Sequence, residues 1–360
     1  MSRVLLDYPH RRAGHCGSGA LRDLVEWAGL GWNGPPHEGL VFALGGGLGF
    51  SYLRVPGIVP PIYLVGRGGD LELDLLRRLG AAVEFKQSDD PILGWQWVVD
   101  ELDDGRPVMV WADIAKLPYL RVRLQMSRHD IVVIGYDDDT GTAFVADNDR
   151  ENIQEVPYEA LADARSSTAF PVPTRHATFA VRWPDSLPDL TGIAAEAFAA
   201  STTSMITGGD DLVDLSILPP GACAGSGLSG VQAFAEDVAA WPDELDPVDL
   251  EAALRVLPVF IDKAGTGGGL FRLLQSQGCA QVAELLGSTE AAEAAAVAAD
   301  CAAAWQALAR AAVADESLNA RAARVARAAA TLPDHERNLV AALQHASESL
   351  NAAGEPGARS

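Results

Sequence analysis

The chain has no uninterrupted apolar run near the roughly 20 residues that a bilayer span requires, so no transmembrane helix is expected. Cysteine is scarce. Cys16, Cys223, Cys279 and Cys301 lie far apart without a C-x-x-C pair, which argues against a disulfide framework and a cysteine-rich zinc site. Free thiols and no bound metal are therefore expected. Lysine is scarcer still, with only Lys86, Lys116 and Lys263, and the formal net charge is -22. That balance disfavours nucleic acid and anionic membranes as partners, because phosphate contacts need a basic face. The opening Met1-Ser-Arg-Val-Leu-Leu-Asp7 breaks its short apolar run with an acid and lacks the core of a secretory signal, so a cytoplasmic location is expected.

At 360 residues the chain exceeds what one hydrophobic core organises, and two domains are expected. Leu21, Leu24, Val25 and Ala28 recur at helical spacing, which predicts a helix from near Cys16 to Gly29. Shorter amphipathic helices are expected over 70–79 and 95–102. Three apolar, β-branched runs, Val108–Ala112, Asp130–Tyr136 and Thr142–Ala146, read as strands, the last two joined by a turn at Asp137-Asp-Asp-Thr-Gly141. Thr178–Arg182 adds a fourth strand to a sheet expected to be antiparallel. Past Trp183, Pro184-Asp-Ser-Leu-Pro188 opens a mostly helical half: 193–205, a loop around Leu218-Pro-Pro-Gly221, then Ala-rich helices over 289–313, 319–331 and 335–352, with Ser288 capping the first of these. The fold class expected is α+β over 1–183, followed by a helical domain over 189–353. Apolar faces on the Ala-rich helices are compatible with a homodimer.

Two glycine runs invite a phosphate-binding reading. Leu44-Gly-Gly-Gly-Leu-Gly-Phe50 fails the G-x-G-x-x-G spacing, and close packing explains it more simply. Gly265-Thr-Gly-Gly-Gly269 sits between apolar segments without the lysine of a P-loop, so a tight turn into a helix is preferred to a phosphate cradle.

A thiol attacks a carbonyl only as thiolate, which needs a helix N-terminus or an imidazolium beside it. Cys16 stands where both are available, and the N–H groups opening its helix could stabilise an oxyanion. A buried structural cysteine is the plainer alternative. His129 opens a strand, and Asp147 closes the next one, so an antiparallel hairpin returns the carboxylate to the imidazole. Asn148 would replace Asp147 if the register slipped by one, and Asp147-Asn-Asp149 could simply turn the chain. The consecutive acids Asp137–Asp139 lack the alternating spacing of a calcium loop.

The order of cysteine at a helix start, histidine at a strand start and aspartate at the end of the next strand resembles the papain-like cysteine peptidase superfamily. More closely, His15-Cys-Gly-Ser-Gly-Ala-Leu-Arg22, Leu44-Gly-Gly-Gly-Leu-Gly-Phe-Ser-Tyr52, Leu117-Pro-Tyr119 and His129-Asp-Ile-Val-Val-Ile-Gly-Tyr136 resemble the N-terminal domain of the butirosin biosynthesis protein H-like family. Gly265-Thr-Gly-Gly-Gly-Leu-Phe-Arg272 resembles the helical domain of unknown function that often follows it. The resemblance implies an acyltransferase that accepts an acyl group from the phosphopantetheine thioester of an acyl carrier protein and passes it to an amine. Cys16 would be nucleophile, His129 base and Asp147 orienting acid. Where papain-like enzymes carry an oxyanion-binding glutamine, six residues before the cysteine, this chain has His10; His15 is the other candidate.

From Ile114 to His129 there is no acid, while Lys116, Arg121, Arg123 and Arg128 concentrate positive charge. Arg121, Arg123 and Arg128 would dock an acidic carrier protein, or form a solvated loop with no partner. The same residues could hydrolyse an amide, since acyl-enzyme formation is shared, or the fold could serve as a non-catalytic scaffold.

Overall fold

The computed structural model of the chain describes residues 2–122, 125–208 and 219–354. In chain order come β1 (Arg3–Leu5), α1 (Cys16–Trp27), α2 (Glu38–Leu44), β2 (Leu48–Arg54), β3 (Ile62–Arg67), α3 (Leu71–Arg78), β4 (Ala82–Lys86) and α4 (Pro91–Asp103). Then follow β5 (Val108–Ala112), β6 (His129–Asp137), β7 (Thr142–Ala146), β8 (Gln154–Pro157), α5 (Tyr158–Arg165) and β9 (Thr178–Arg182). The remainder holds α6 (Leu190–Thr207), β10 (Cys223–Ser226), α7 (Gly227–Glu244), α8 (Pro247–Pro258), α9 (Arg272–Leu286), α10 (Thr289–Ala312), α11 (Leu318–Ala329) and α12 (Leu332–Gly354). The chain is a mixed α+β protein with a helical C-terminal region.

The elements fall into two compact units, one built from Met1–Glu38 and Leu76–Pro188, the other from Gly39–Leu75 and Asp189–Ser360. In the first unit an antiparallel sheet runs β4-β9-β5-β6-β7-β8, with β1 pairing the far end of β6. Alternation along β6 sends Ile131 and Val133 into a core with Val98 and Leu102 of α4 and Leu161 of α5. Val132 and Ile134 face the other side, and α1 packs against β6. The hairpin turn forms as its sequence requires: the Asp137 side chain accepts from the N–H groups of Asp139 and Thr140, and Gly141 takes a positive φ.

The second unit joins helices to a small antiparallel sheet, β10-β2-β3. A single cut after Trp183 therefore does not separate the units. β2 pairs with β10, from Arg54↔Cys223 to Ser51↔Ser226, and this draws residues 39–75 to the C-terminal half. Local periodicity cannot report a strand whose partner lies so far along the chain. The Gly265–Gly269 run is a turn into α9: a Cβ on Gly269, at φ +56, would come within 2.7 Å of Ala302 on α10. Leu218 lies outside the described residues, and Ser288 caps α10 by accepting from Ala291 N–H.

The core of this unit is pinned by one buried cation. Arg272 donates to Gly49 O at 3.0 Å, to Gly66 O at 2.8 Å and to Glu336 Oε1 at 2.7 Å. Trp305 Nε1 donates to the same carboxylate oxygen at 2.6 Å, so β2, β3, α9, α10 and α12 share one polar knot. Among the described residues no helix is long and apolar enough to cross a membrane. Nor, among them, do three or more His, Cys, Asp or Glu side chains gather as a metal site.

Removing one member of a buried ion pair strands the other's charge. Glu336→Ala should therefore lower unfolding free energy by about 3–5 kcal/mol in urea denaturation. Glu336→Gln, which still offers an oxygen to Trp305, should lower it less.

Candidate active site

Cys16 is the first residue of α1, and the turn leading into it is held by Glu38, the first residue of α2. The Glu38 carboxylate accepts from Gly14 N at 2.9 Å, His15 N at 2.8 Å and Ser18 Oγ at 3.2 Å. His15 is the N-cap: its Nδ1 accepts the Ser18 N–H at 3.2 Å, which requires the ring proton to sit on Nε2. The segment before α1 is also laced to the end of β7. Ala13 N donates to Asn148 O at 3.1 Å, and Asn148 Nδ2 donates to Ala13 O at 3.3 Å. Only a glycine fits at position 19, because a Cβ there would lie 2.4 Å from that of Ala13.

This lacing brings Cys16, His129 and Asp147 together. His129 Nε2 hydrogen-bonds Asp147 Oδ2 at 2.9 Å, and the imidazole also hydrogen-bonds Cys16. Both members of the His–Asp pair are buried. Tyr119 donates its hydroxyl to Asp147 Oδ2 at 2.7 Å, and Asp149 N–H donates to Oδ1 at 3.0 Å. Burial alone would raise the Asp147 carboxyl, but His129 and these donors outweigh it and hold the group at about 2. Burial likewise disfavours the imidazolium, yet the Asp147 carboxylate and the Cys16 contact push His129 well above its ordinary value. The arrangement can keep a charged imidazolium beside a sulfur nucleophile at neutral pH.

The remaining candidates are dispersed. His10 has both ring nitrogens engaged elsewhere, Nε2 with Arg150 O at 2.8 Å and Nδ1 with Asp23 Oδ2 at 3.4 Å, and it serves to fasten the segment before α1. Of the cations ahead of His129, Lys116 pairs with Asp163 at 2.8 Å, and Arg128 lies 4.9 Å over the Trp111 ring. Arg121 is exposed, whereas Arg123 lies outside the described residues. The surroundings of the other thiols disfavour the thiolate. Burial pushes Cys223 up to about 11 and Cys279 up to about 12, and Cys301 is raised well above its usual value.

Three positions of the candidate site escaped the reading of the sequence. Tyr119 lay in plain view in Leu117-Pro-Tyr119 but carried no spacing signal toward Asp147. Glu38 is a helix-starting acid like many others. Asp130 had a usable signal, an acid beside the histidine at the head of an apolar run, and its Oδ2 accepts from the Cys16 thiol at 3.7 Å.

Residues 15–148, from the α1 cap to the Asn148 lacing, match the family described as "Butirosin biosynthesis protein H, N-terminal". Residues 159–343, more than half of the chain, match "Domain of unknown function (DUF4872)". The chain belongs to the butirosin biosynthesis protein H-like family. The N-terminal family segment carries Cys16, His129 and Asp147, and it also takes in β2 and β3, which group with the second compact unit. Comparison with curated proteins finds no match.

The His129–Asp147 pair should leave a pH signature. Its contribution to stability is complete below the free imidazole's value of about 6.5 and is lost as pH rises through the elevated value of the folded chain. On the acid side it is complete above the free carboxylate's value of about 3.9 and lost as pH falls toward about 2. Asp147→Asn removes the anion that holds the imidazolium. The alkaline fall in Cys16 alkylation by iodoacetate, an anion drawn to that imidazolium, should then move about 1–3 pH units lower. Tyr119→Phe removes one donor to a buried carboxylate and should lower unfolding free energy by about 1.5–3 kcal/mol in chemical denaturation.

Proposed function

We propose that the chain is a cysteine-dependent acyltransferase of natural-product biosynthesis, taking an acyl group from a carrier-protein thioester and delivering it to an amine. The single observation that supports this most is the buried His129–Asp147 pair, at 2.9 Å, in hydrogen-bonding reach of a cysteine that starts a helix. The family name supports the biosynthetic setting. In this reading the Cys16 thiolate attacks the thioester carbonyl, with the first N–H groups of α1 and the helix N-terminal field stabilising the oxyanion. His129 gives its proton to the departing pantetheine thiol as the donor C–S bond breaks. The acyl group then rests on Cys16 beside a neutral imidazole, which can accept a proton from the incoming nucleophile. Asp147 fixes the ring and stabilises its charged form. Exposed Arg121, and Arg128 seated on Trp111, would contribute to recognition of an acidic carrier protein.

Intact-mass spectrometry of the wild type and Cys16→Ala with a panel of acyl thioesters tests this reading. The expected result is an acyl adduct in the wild type, absent in the variant, and discharged by an added amine with formation of the amide. Discharge at the same rate in water alone would make the chain a hydrolase. Failure of every donor to form an adduct would make it a scaffold of the same fold.

A further inference from the structure

Two buried basic side chains of the first unit pair with no acid. Arg165, the last residue of α5, is 1% exposed. It donates to Gly94 O at 3.3 Å, His176 O at 3.0 Å and Thr178 Oγ1 at 2.7 Å, all uncharged acceptors, and its Nε is buried without a partner. Burial lowers it only to about 9, so the guanidinium keeps its charge from neutral pH downward. His176 is 2% exposed, and both of its ring nitrogens are buried without a hydrogen-bond partner. Buried polar atoms in this state are uncommon, and three on two contacting residues require a reason.

This packing has no room for a second charge. The His176 ring lies against α4, where a Cβ on Gly94 would come within 2.4 Å of the His176 Cβ and 3.2 Å of Nδ1. The backbone at Arg175 and His176 is left-handed, with φ +44 and +49, a conformation that residues with side chains hold only where their surroundings enforce it. The charges facing the ring are Arg165 from α5 and Asp89 and Asp90 from the segment before α4. Both acids are engaged, Asp89 with Arg175 at 3.0 Å and Asp90 as the cap of α4. Burial and Arg165 outweigh them and hold His176 down at about 4.

The segment that joins α5 to β9, residues 166–177, also braces the head of β6. Ser167 Oγ donates to Asp113 Oδ2 at 2.6 Å, and Thr174 N–H donates to Ser167 O at 2.9 Å. Ser127 is fully buried beneath this segment: its N–H donates to Phe170 O at 3.1 Å, and its hydroxyl is shared between Ala169 O and Val172 O. Two residues further on stands His129.

We propose that His176, packed against Arg165, is an acid-sensitive latch: when its ring takes up a proton, the segment 166–177 releases Ser127, and the head of β6 with His129 loses its brace. A released histidine titrates at its ordinary value of about 6.5, whereas the closed form resists the proton down to about 4. The open form therefore gains on the closed one as pH falls through that window, and the gain stops where the closed form takes the proton as well. Neither member of the His129–Asp147 pair titrates there, one being raised above the window and the other held at about 2. The latch is independent of which reaction Cys16 performs.

Hydrogen exchange of the full chain, corrected for the intrinsic dependence of exchange on pH, tests this. Between pH 7.5 and 5 the opening of peptides covering 166–177 and 125–131 should rise about thirtyfold, while peptides of β2 and β3 stay unchanged. His176→Phe should abolish the rise. The imidazole makes no side-chain hydrogen bond, so phenylalanine forfeits none, and position 176 carries a side chain in either case. The same rise in His176→Phe, or no rise in the wild type, would overturn the proposal. The wild type alone supplies a second check, since one histidine gives a slope of about tenfold per pH unit that begins near pH 6.5. A steeper slope, or a rise confined to pH below about 4, where ordinary carboxylates titrate, would assign the opening to other groups and rule the latch out.

Discussion

A buried carboxylate must be surrounded by donors, and Asp147 sets much of the first unit through that demand. Its oxygens take the His129 ring, the Tyr119 hydroxyl and the Asp149 amide. Those partners come from the start of β6, from the segment after β5 and from the turn after β7. Satisfying one charge therefore fixes three chain segments at the same end of the sheet. Asn148, next in sequence, then fastens the segment before α1, which carries Cys16 into place. Positioning of Cys16 is thus a consequence of satisfying the acid.

The end of the first unit that holds Cys16, His129 and Asp147 was legible because its signals are local. Val108–Ala112, Thr142–Ala146 and Thr178–Arg182 coincide with β5, β7 and β9, since β-branched runs bounded by turn residues leave little ambiguity. The helix at Cys16 ends at Trp27, with Gly29 at positive φ just beyond, as its spacing and the glycine foretold. What stayed hidden depends on distant partners. β2 and β3 need β10, and Glu38 matters only because the turn at Gly14 and His15 comes to it. His10 shows the opposite failure: a place in a family pattern suggested chemistry, whereas its ring is tied to Asp23 and Arg150.

The two compact units solve the burial of polar groups differently. In the first, the buried charges of the site belong to groups that titrate against one another, His129 raised and Asp147 lowered. In the second, an always-charged arginine, Arg272, meets backbone carbonyls and a single carboxylate that also satisfies Trp305. The former can change its protonation. The latter cannot, which suits a knot whose task is to hold strands and helices in register.

The fates of the four cysteines carry a practical consequence. Burial raises Cys223, Cys279 and Cys301 and disfavours their thiolates, so on the proposed role of Cys16 electrophiles at neutral pH would address one sulfur in the native chain. The place of that sulfur beside His129 depends on the lacing of the segment before α1 to Asn148. On that proposed role a thiol titre taken under native conditions would count correctly assembled molecules, and the number of sulfurs labelled per chain would rise from one toward four as the population unfolds.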